Sequence, residues 1–479
     1  MPDESRRPHP FAARISALPP EKRALLLQKL PPLSFSQQRL RELEARPGAA
    51  PNVTALPVRL GGPLDPDALA RSLGEVARRH EVLRTIFPVI EGRAAAVVLP
   101  PAPVALPVRD LSTLEPAERA AQVERLAGRA AQERFDLERG PLWRATLLRL
   151  GPEEHVVLLG AHHMIFDGWS AGVLLREVGH FYAAFRRGSE PRLPEPPAQY
   201  GDYARWQRES AGKGAWARAV DYWRGVLHDA PPLPGLPADF PRPAAWRTAP
   251  AASLPLTLDE GASQAVRSLC ASEGVTLFMA GLAAFAAFLH ANTGARDFVI
   301  GVPVAGRTLA ATEGLIGSFV NLVLLRLRLS EEVRGTDLLA RAREATLAAY
   351  EHQELPFGAL LEELFPGEEY DGYGVRGRAP LFRVAFDFKN AAGAAEELPD
   401  LQVSMVETEE KMTGCDLYIK LWEEPQAVAG SVLYNRELFS AQTAARMVDE
   451  YGQTLARLAS RPDLRLPELT ASCRRKQEC

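Results

Sequence analysis

The sequence predicts an α/β protein built from two lobes, and three observations lead to this prediction. The chain has 479 residues, of which 46% are hydrophobic, and this length exceeds the size at which a single hydrophobic core keeps growing. Segments with helical spacing of apolar residues alternate with β-rich runs along most of the chain. A stretch rich in proline and tryptophan interrupts the alternation, and there we expect the connection between the lobes.

The predicted elements follow in chain order. Residues 1–30 form an N-terminal extension with a short helix, because RISALPPEKRALLLQKL carries apolar residues at helical spacing behind a Pro-Pro start signal. Residues 31–187 form the first lobe, with helical DPDALARSLGEVARRH before the β-rich runs AAAVVLP, LWRATLLRL and EHVVLLGAHH. Residues 188–250 form the connector. Residues 251–470 form the second lobe, where apolar TLFMAGLAAFAAFLHANTG precedes strand-like DFVIGVPVAG and FVNLVLLRLRLS. Residues 471–479 form a polar tail.

Composition and charge exclude several classes of protein. The formal net charge is −4 and no long Lys/Arg run is present, which argues against a nucleic-acid binder, whose affinity rests on phosphate neutralisation. The four cysteines show no CxxC or zinc-finger spacing, so neither a disulfide frame nor a structural metal is indicated. The N-terminus has no apolar h-region, and no run of about 18 apolar residues occurs. We therefore expect a cytoplasmic monomer with no nucleic-acid or membrane partner.

The segment HHMIFDGWS, residues 162–170, carries the predicted active site. An apolar β-run ends in His162 and His163, and Asp167 and Gly168 follow. Neighbouring side chains on a strand point to opposite faces, so only one histidine should meet a substrate. A histidine near a core strand is more often a packing residue. His163 differs because it lies where the β-run breaks into a glycine-containing turn that opens a helix, and there a side chain can project into a cleft.

The predicted roles follow from the chemistry of these side chains. An imidazole titrates near pH 6.5, so His163 is the predicted general base, with His162 in support. Asp167 is a candidate second base, but its simpler predicted role is an ion pair with an arginine that fixes the turn. Gly168 leaves room for a substrate arm. Ser170 is the nearest hydroxyl, but without a Gly-x-Ser-x-Gly elbow it is not assigned as a nucleophile. HHxxxD lacks the i, i+4 histidine pair and the soft ligands of a metal site, so no metal is expected.

The HHMIFDGWS segment resembles the HHxxxDG core motif of the condensation domains of nonribosomal peptide synthetases, which are relatives of chloramphenicol acetyltransferase. Similar strings also occur in dihydrolipoyl acyltransferases and wax-ester synthases, so the remainder of the chain has to decide. Segments resembling the other core motifs appear in the order of the family over nearly the whole length: LSFSQQRL, RHEVLRTIF, FDLERGPLWRATLLRL, YGDYARWQ, DYW, VIGVPVAGRT, IGSFVNLVLLRLR, HQELPFGALLEEL and RAPLFRVAFDF.

The resemblance implies a particular fold and site. Two chloramphenicol-acetyltransferase-like lobes would form a V-shaped pseudo-dimer, with the active site in a tunnel between them and His163 at its floor. Asp167 would pair with an arginine of the second lobe, for which we choose Arg307 in the VAGRT segment. The implied tunnel and substrate contacts are Trp169, Ser170, Ser318 and Asn321.

The resemblance also implies a reaction and its partners. The enzyme would transfer an acyl or peptidyl group from the phosphopantetheine thioester of a donor carrier protein to a nucleophile. The acceptor would be an amine or a hydroxyl, on a second carrier or on a soluble amine or alcohol. Phosphopantetheine would stay on the carrier, so no bound cofactor is expected. No adenylation or carrier sequence is appended, so the chain would act in trans if it is the whole protein.

Other branches of the family are less well matched. Heterocyclising members carry a DxxxxD pattern in place of the histidine motif, and epimerases usually resemble HHxxxDxxSW, so condensation is favoured over both. The alternative of another class is a non-catalytic module of the same fold that docks carrier proteins or a tailoring enzyme. Degenerate members of that kind tend to lose the second histidine, which is present here as His163.

Overall fold

The structure is a computed structural model that divides into two compact units. The described residues are 18–19, 21–22, 28–46, 49–243, 248–371, 374–375, 380–389, 400–406 and 411–470. Most of the predicted extension 1–30 and the whole of the predicted tail 471–479 lie outside these residues. Unit 1 consists of Met1–Ala215, Ala305–Val320 and Gly393–Thr408. Unit 2 consists of Trp216–Val304, Asn321–Ala392 and Glu409–Cys479.

Helices and strands alternate along the described chain. The α-helices are α1 (Phe35–Glu44), α2 (Pro66–Arg79), α3 (Pro116–Ala130), α4 (Gly168–Arg186), α5 (Tyr200–Gly212), α6 (Ala217–Leu227), α7 (Glu260–Glu273), α8 (Leu277–Thr293), α9 (Ala310–Glu313), α10 (Gly335–Glu351), α11 (Phe357–Leu364), α12 (Ala441–Ser460) and α13 (Leu466–Leu469). A 3₁₀ turn spans Glu81–Arg84.

The strands complete the list of elements. They are β1 (Val53–Gly61), β2 (Thr85–Ile86), β3 (Val89–Ile90), β4 (Arg93–Ala94), β5 (Val97–Val98), β6 (Val108–Asp110), β7 (Trp143–Arg149), β8 (Glu154–His162), β9 (Ala249–Thr257), β10 (Asp297–Val304), β11 (Asn321–Arg328), β12 (Tyr370–Asp371), β13 (Gly374–Val375), β14 (Val384–Lys389), β15 (Gln402–Met405), β16 (Met412–Thr413), β17 (Leu417–Glu423) and β18 (Val428–Asn435). The α/β fold predicted from the sequence is confirmed.

Unit 1 is built on a sheet with the strand order β15-β1-β8-β7-β6. Strand β8 is antiparallel to both β1 and β7, and its last residue, His162, pairs with Val53. Side chains of α3 and β8, including Leu126 and Val156, form one buried cluster, while the larger cluster contains residues of α2, α4 and β8. Because helices cover both faces of the sheet, β8 is buried from His155 to His162 and reads as a nearly continuous apolar run.

Unit 2 is built on a second sheet, with the order β11-β10-β14-β17-β18-β9-β16. Helix α8 is apolar on all sides and packs closely on this sheet. A Cβ atom at Gly281 would lie 2.7 Å from Leu421 and 2.8 Å from Phe386, so the absence of a side chain there permits the close approach of helix and strands. The backbone of α8 is thereby held against β14 and β17.

No single helix in the described part of the chain is long and apolar enough to cross a bilayer. Helices α7 and α8 together reach the required length and composition, but they meet at an angle of 106°. Most residues of α8 are buried in the protein, which is also the pattern of a core helix.

Two segments from the second half of the sequence belong to unit 1. Strand β15 pairs antiparallel with β1, with Val58 opposite Met405, and Ala305–Val320 also packs within this unit. Both segments lie inside the range 251–470, which the sequence predicts as the second lobe. The division between the units at Ala215 and Trp216 falls within the predicted connector 188–250. Long-range strand pairing and side-chain contacts therefore determine the units, rather than position along the chain.

A buried ionic cluster joins α2 to α4 in unit 1. Glu177 accepts hydrogen bonds from Arg79 Nε and Nη2, both at 3.1 Å, and from His80 Nε2 at 3.0 Å. His80 Nδ1 accepts from the backbone N–H of Ile316 at 3.4 Å, so the proton of this ring lies on Nε2. Burial acts to raise the pKa of Glu177, but the hydrogen bonds from His80 and Arg79, together with the charge of Arg79, outweigh it and lower the pKa.

Substitution of Glu177 should destabilise unit 1 in a pH-dependent way. Glu177→Gln removes one partner of a buried pair, which costs about 3–5 kcal/mol, so we expect the unfolding temperature to fall by roughly 6–20 °C at pH 7. A lowered folded-state pKa means that ionised Glu177 stabilises the fold above its unfolded-state pKa of about 4.3. The difference from the wild type should therefore narrow as the pH falls below about 4. Thermal unfolding at pH 7 and at about pH 3 measures this.

Glu75→Gln is the matched control for this experiment. Glu75 lies on α2 and pairs with Arg78 on the surface, where an ion pair contributes about 0–1 kcal/mol. Its unfolding temperature should stay close to that of the wild type. A loss in Glu177→Gln no larger than in Glu75→Gln would contradict the assigned role of the cluster.

Candidate active site

The HHMIFDGWS segment forms a turn that is held at both ends. At its start, the backbone N–H of His163 donates to the carbonyl of Asn52 at 2.8 Å, directly beyond the β1–β8 pair. At its end, Asp167 has extended backbone angles and caps α4, accepting from the N–H of Ser170 at 2.8 Å. The turn therefore connects the end of a buried central strand to a capped helix, and the position of His163 depends on both.

His162 is fully buried, and both of its ring nitrogens are engaged. The backbone N–H of Met164 donates to Nδ1 at 3.1 Å, so Nδ1 is unprotonated. Nε2 lies 2.8 Å from Oε2 of Glu44 and donates to it. The ring also makes an edge-to-face contact with Phe135, with the centroids 6.4 Å apart. These contacts fix the His162 ring inside unit 1, where it supports the backbone of the turn.

His163 is half-buried and has a different environment. Its Nδ1 lies 3.3 Å from the carbonyl oxygen of Phe166 and donates to it. This contact selects the tautomer in which Nε2 keeps the lone pair and has the capacity to accept a proton. The hydroxyl of Thr54 lies beside the ring, 3.2 Å from Nδ1 and 3.3 Å from Nε2. The role of general base for His163 stays a prediction.

Asp167 and Arg307 form a buried ion pair. Nη2 of Arg307 lies 3.1 Å from Oδ1 and 3.3 Å from Oδ2 of Asp167. Oδ2 also accepts from the backbone N–H of Phe319 at 3.0 Å. One carboxylate thus caps α4 and binds the backbone and a side chain of Ala305–Val320. The structure brings together the two residues that the resemblance pairs.

Arg307 holds its own segment in place through its other groups. Nη1 donates to the carbonyls of Thr312 and Leu315. The guanidinium stacks on the Phe319 ring, 4.1 Å from its centroid. Burial lowers the pKa of Arg307, and the neighbouring Asp167 acts in the opposite direction. Its Nε is buried and makes no hydrogen bond within the described part of the chain, so the other two nitrogens and the aromatic face account for its binding.

Ser170 is fully buried, and its hydroxyl contacts several hydrogen-bonding groups. Its Oγ lies 2.7 Å from Oδ1 of Asp167 and 3.0 Å from the carbonyl of Gly317, either of which accepts its proton. The same oxygen accepts from the N–H of Gly317 at 3.0 Å and from Arg307 Nη2 at 3.2 Å. The Asp167 carboxylate beside this hydroxyl is already bound by Arg307 and by the N–H of Phe319, and Ser170 is fully buried. An accessible, activated serine nucleophile is therefore not present here.

Gly168 and Trp169 lie at the exposed side of the turn. A Cβ atom at Gly168 would meet no heavy atom within 4 Å, so the space beside it is open. Trp169 is exposed, and its indole Nε1 donates to the carbonyl of Glu313 at 2.9 Å. This is the part of the site where a ligand has room.

Ser318 connects the returning segment to α1 and α5. Its carbonyl accepts from the hydroxyl of Tyr200 at 2.8 Å, and its Oγ lies 3.1 Å from Oγ of Ser36. The Tyr200 hydroxyl also lies 2.8 Å from Oγ of Ser34, the N-cap of α1. Burial raises the pKa of Tyr200 well above its ordinary value, so this phenol remains a neutral donor. The predicted contact of Ser318 with a substrate stays a prediction.

Asn321 is not part of this cluster. It belongs to unit 2, where its Nδ2 donates to the carbonyls of Gln353 and Leu355 and its Oδ1 accepts from the N–H of Phe357. The amide therefore fixes the backbone at the start of α11. Its predicted contact with a substrate stays a prediction.

Two residues of the site were not found from the sequence, namely Thr54 and Glu44. Both touch the histidines, yet neither lies in the motif: Thr54 is a strand residue and Glu44 is the last residue of α1. Their contacts arise from the register of β1 against β8 and from the packing of α1. No local pattern in the sequence indicates either one. In the described part of the chain, no group of three or more His, Cys, Asp or Glu residues is placed to hold a metal ion.

Solved structures share this fold over nearly the whole chain. The X-domain from teicoplanin biosynthesis is 28% identical with a TM-score of 0.81, covering 91% of this chain and 97% of that one. A complex of the X-domain and OxyB from teicoplanin biosynthesis matches at 26% identity with a TM-score of 0.79, covering 92% of this chain and 96% of that one. SgcC5 from Streptomyces globisporus, in complex with (R)-(-)-1-(2-naphthyl)-1,2-ethanediol and sucrose, is 30% identical with a TM-score of 0.75, covering 91% and 100%.

Sequence comparisons agree with the structural ones. The family model described as Condensation domain matches residues 28–478. Malpinin synthetase from Mortierella alpina is 38% identical over 419 residues, which are 87% of this chain and 5% of that protein. The chain thus spans less than a tenth of this relative. The chain described here belongs to the condensation-domain family of nonribosomal peptide synthetases.

Replacement of Arg307 tests how the returning segment is held. Arg307→Lys supplies one ammonium where the guanidinium binds Asp167, Ser170 and two carbonyls, so buried acceptors lose their donors at about 1–3 kcal/mol each. We expect amide hydrogen exchange within Ala305–Val320 to be at least about tenfold faster, since 1.4 kcal/mol corresponds to one order of magnitude.

The control for this variant is Arg296→Lys. Arg296 is exposed and pairs with exposed Glu331, so its replacement should leave exchange in Ala305–Val320 unchanged. Equal protection of the segment in Arg307→Lys and in the wild type would show that the ion pair does not hold it.

Proposed function

We propose that this chain is a catalytically active condensation domain that forms an amide bond. It transfers an acyl or peptidyl group from the phosphopantetheine thioester of a donor carrier protein to an amine, presented by an acceptor carrier or as a soluble compound. The observation that carries the proposal is the state of His163. This half-buried imidazole has its Nδ1 3.3 Å from the carbonyl of Phe166 and its Nε2 3.3 Å from the Thr54 hydroxyl, within an intact HHxxxDG motif, and open space adjoins Gly168 in the same turn.

The chemistry proposed for the site needs few catalytic groups, because a thioester is already activated. The amine nitrogen attacks the thioester carbon, and His163 Nε2 takes the proton that the nitrogen gives up. When the tetrahedral intermediate collapses, the C–S bond breaks and the phosphopantetheine sulfur leaves as a thiol with a proton returned by His163. Most of the acceleration then comes from holding the two substrates in near-attack geometry. No covalent acyl-enzyme and no bound cofactor are proposed.

A hydroxyl acceptor is the second candidate, and it would give an ester. The observation in its favour is the 30% identity to SgcC5, which was solved with a compound that carries two hydroxyl groups. A free amine has a nucleophilic lone pair, whereas a hydroxyl needs proton removal in the transition state. Ester formation should therefore depend more steeply on His163 than amide formation does.

A non-catalytic docking module is the candidate of another class. Structural similarity to the X-domain, including one in complex with OxyB, favours it. Retention of the second histidine, which degenerate members tend to lose, favours catalysis. Binding of a carrier protein without turnover of its thioester would support the docking module and contradict our proposal.

Replacement of the proposed base is the direct test. His163→Ala should lower the single-turnover rate of amide formation by about 10²–10⁴-fold, measured by mass spectrometry with an acylated carrier protein and a panel of amines and alcohols. Thermal unfolding should stay near that of the wild type, because this side chain is only half-buried.

His180→Ala is the matched control for the base. His180 is exposed on α4 and contacts only a backbone carbonyl among the hydrogen bonds of the described chain, so its loss should leave the rate unchanged. Wild-type rates in His163→Ala would exclude the base assignment, while wild-type protein that turns over no thioester would exclude catalysis.

The open space beside Gly168 is proposed as the passage of the substrate arm. Gly168→Leu should raise the KM for the acylated carrier or lower kcat by at least about tenfold, since small misplacements of reacting groups are costly. Gly168→Ala should change either by less than about threefold, because the added methyl group meets no atom.

Gly212→Leu is the control for added bulk. Gly212 is exposed at the end of α5, and a Cβ atom there also meets open space. Its kinetics should equal those of the wild type. Equal kinetics in Gly168→Leu and Gly212→Leu would show that no substrate passes Gly168.

A further inference from the structure

Glu44 at the end of α1 connects the two sides of the His163 backbone. Its Oε2 accepts the proton of His162 Nε2 at 2.8 Å, and its Oε1 accepts from the N–H of Asn52 at 3.4 Å. The carbonyl of Asn52 in turn accepts from the N–H of His163 at 2.8 Å. One carboxylate therefore contacts the residue before His163 and the residue that binds its backbone.

We propose that Glu44 is a positioning residue for the reaction, acting through His162 to hold His163 in place. The inference rests on the proposed function, since it presumes that His163 is the base. Glu44 acts on His163 indirectly, through His162. Its side chain is nearly buried, with 10% exposure. It is outside the HHxxxDG motif and 119 positions before His163 in the sequence.

The physical step is the control of one tautomer. The N–H of Met164 donates to His162 Nδ1 at 3.1 Å, and this bond exists only while Nδ1 carries no proton. A carboxylate on the opposite nitrogen keeps the proton on Nε2. If that acceptor is lost, a proton on Nδ1 would face the N–H of Met164, and the turn at residues 163 and 164 would have to shift.

A shift of the turn has a defined consequence for the base. The ring of His163 is oriented by Nδ1 donating to the carbonyl of Phe166, three residues along the same turn. A change in the backbone at residue 164 alters the relation between these two groups, and hence the direction of Nε2. The chemical step should suffer more than substrate binding, because no atom of Glu44 lies within 4 Å of a Cβ atom built on Gly168, where the open space adjoins the turn.

The experiment compares the kinetics of three variants with those of the wild type. Glu44→Ala should lower kcat by about 10–100-fold, the loss typical of groups that orient metal-bound histidines, with KM within about threefold. Glu44→Gln keeps an acceptor for His162 Nε2 and should recover most of this loss. Glu42→Ala is the control: Glu42 lies on the same helix and accepts from Gln38 at the surface, so its kinetics should be those of the wild type.

Two further measurements separate positioning from a general effect on stability. In the His163→Ala background, Glu44→Ala should cost no additional turnover, because the group that it positions is already gone. In protein with ¹⁵N-labelled histidines, the His162 resonance, assigned with His162→Gln, should show a proton on Nε2 in the wild type and a loss of that single tautomer in Glu44→Ala.

The outcomes are decisive in both directions. The proposal is overturned if Glu44→Ala lowers the residual rate of His163→Ala by the same factor as in the wild type, or if the His162 tautomer is unchanged. The nuclear magnetic resonance measurement requires no substrate. If the wild-type protein has no condensation activity while Glu44→Ala still loses the single tautomer of His162, the proposed function is contradicted and the link between Glu44 and His162 stands.

Discussion

The candidate site depends on the ion pair between Asp167 and Arg307. Two desolvated charges stabilise a fold only if their geometry is good and their remaining hydrogen-bonding capacity is used. Here Asp167 also accepts from two backbone N–H groups, of Ser170 and Phe319, and Arg307 donates to two carbonyls of its own segment. The pair thus binds the turn and the start of α4, which are continuous in the chain, to the separate segment Ala305–Val320. The order around His163 follows from this arrangement.

The two adjacent histidines show how one strand end supports two unlike roles. His162 lies inside the unit, with both nitrogens bonded, and acts as part of the scaffold. His163 turns to the other side, where its ring is half-buried. Alternation of side chains along a strand explains this division, and of the two only His163 has the exposure that a proton transfer to a substrate requires.

Local signals in the sequence predicted much of the fold and the centre of the site. The apolar run before His162 indicated a buried strand, and the break at Asp167 and Gly168 indicated a turn into a helix. Arg307 could be chosen only through the resemblance to a family, because its distance from Asp167 in sequence is 140 residues. Glu44 and Thr54 were not predicted. Helix packing and strand register bring them to the histidines, and neither effect produces a pattern that can be recognised in the sequence.

The return of Ala305–Val320 and Gly393–Thr408 to unit 1 has a consequence for biosynthesis. A ribosome makes a chain from its N-terminus, so Met1–Ala215 emerges before either segment exists. During that interval Asp167 lacks its arginine, and the edge of β1 that later pairs with β15 is open to other strands. Unit 1 therefore cannot finish folding until both segments have been translated. During expression in a heterologous host, we expect aggregation to occur through the open edge of β1.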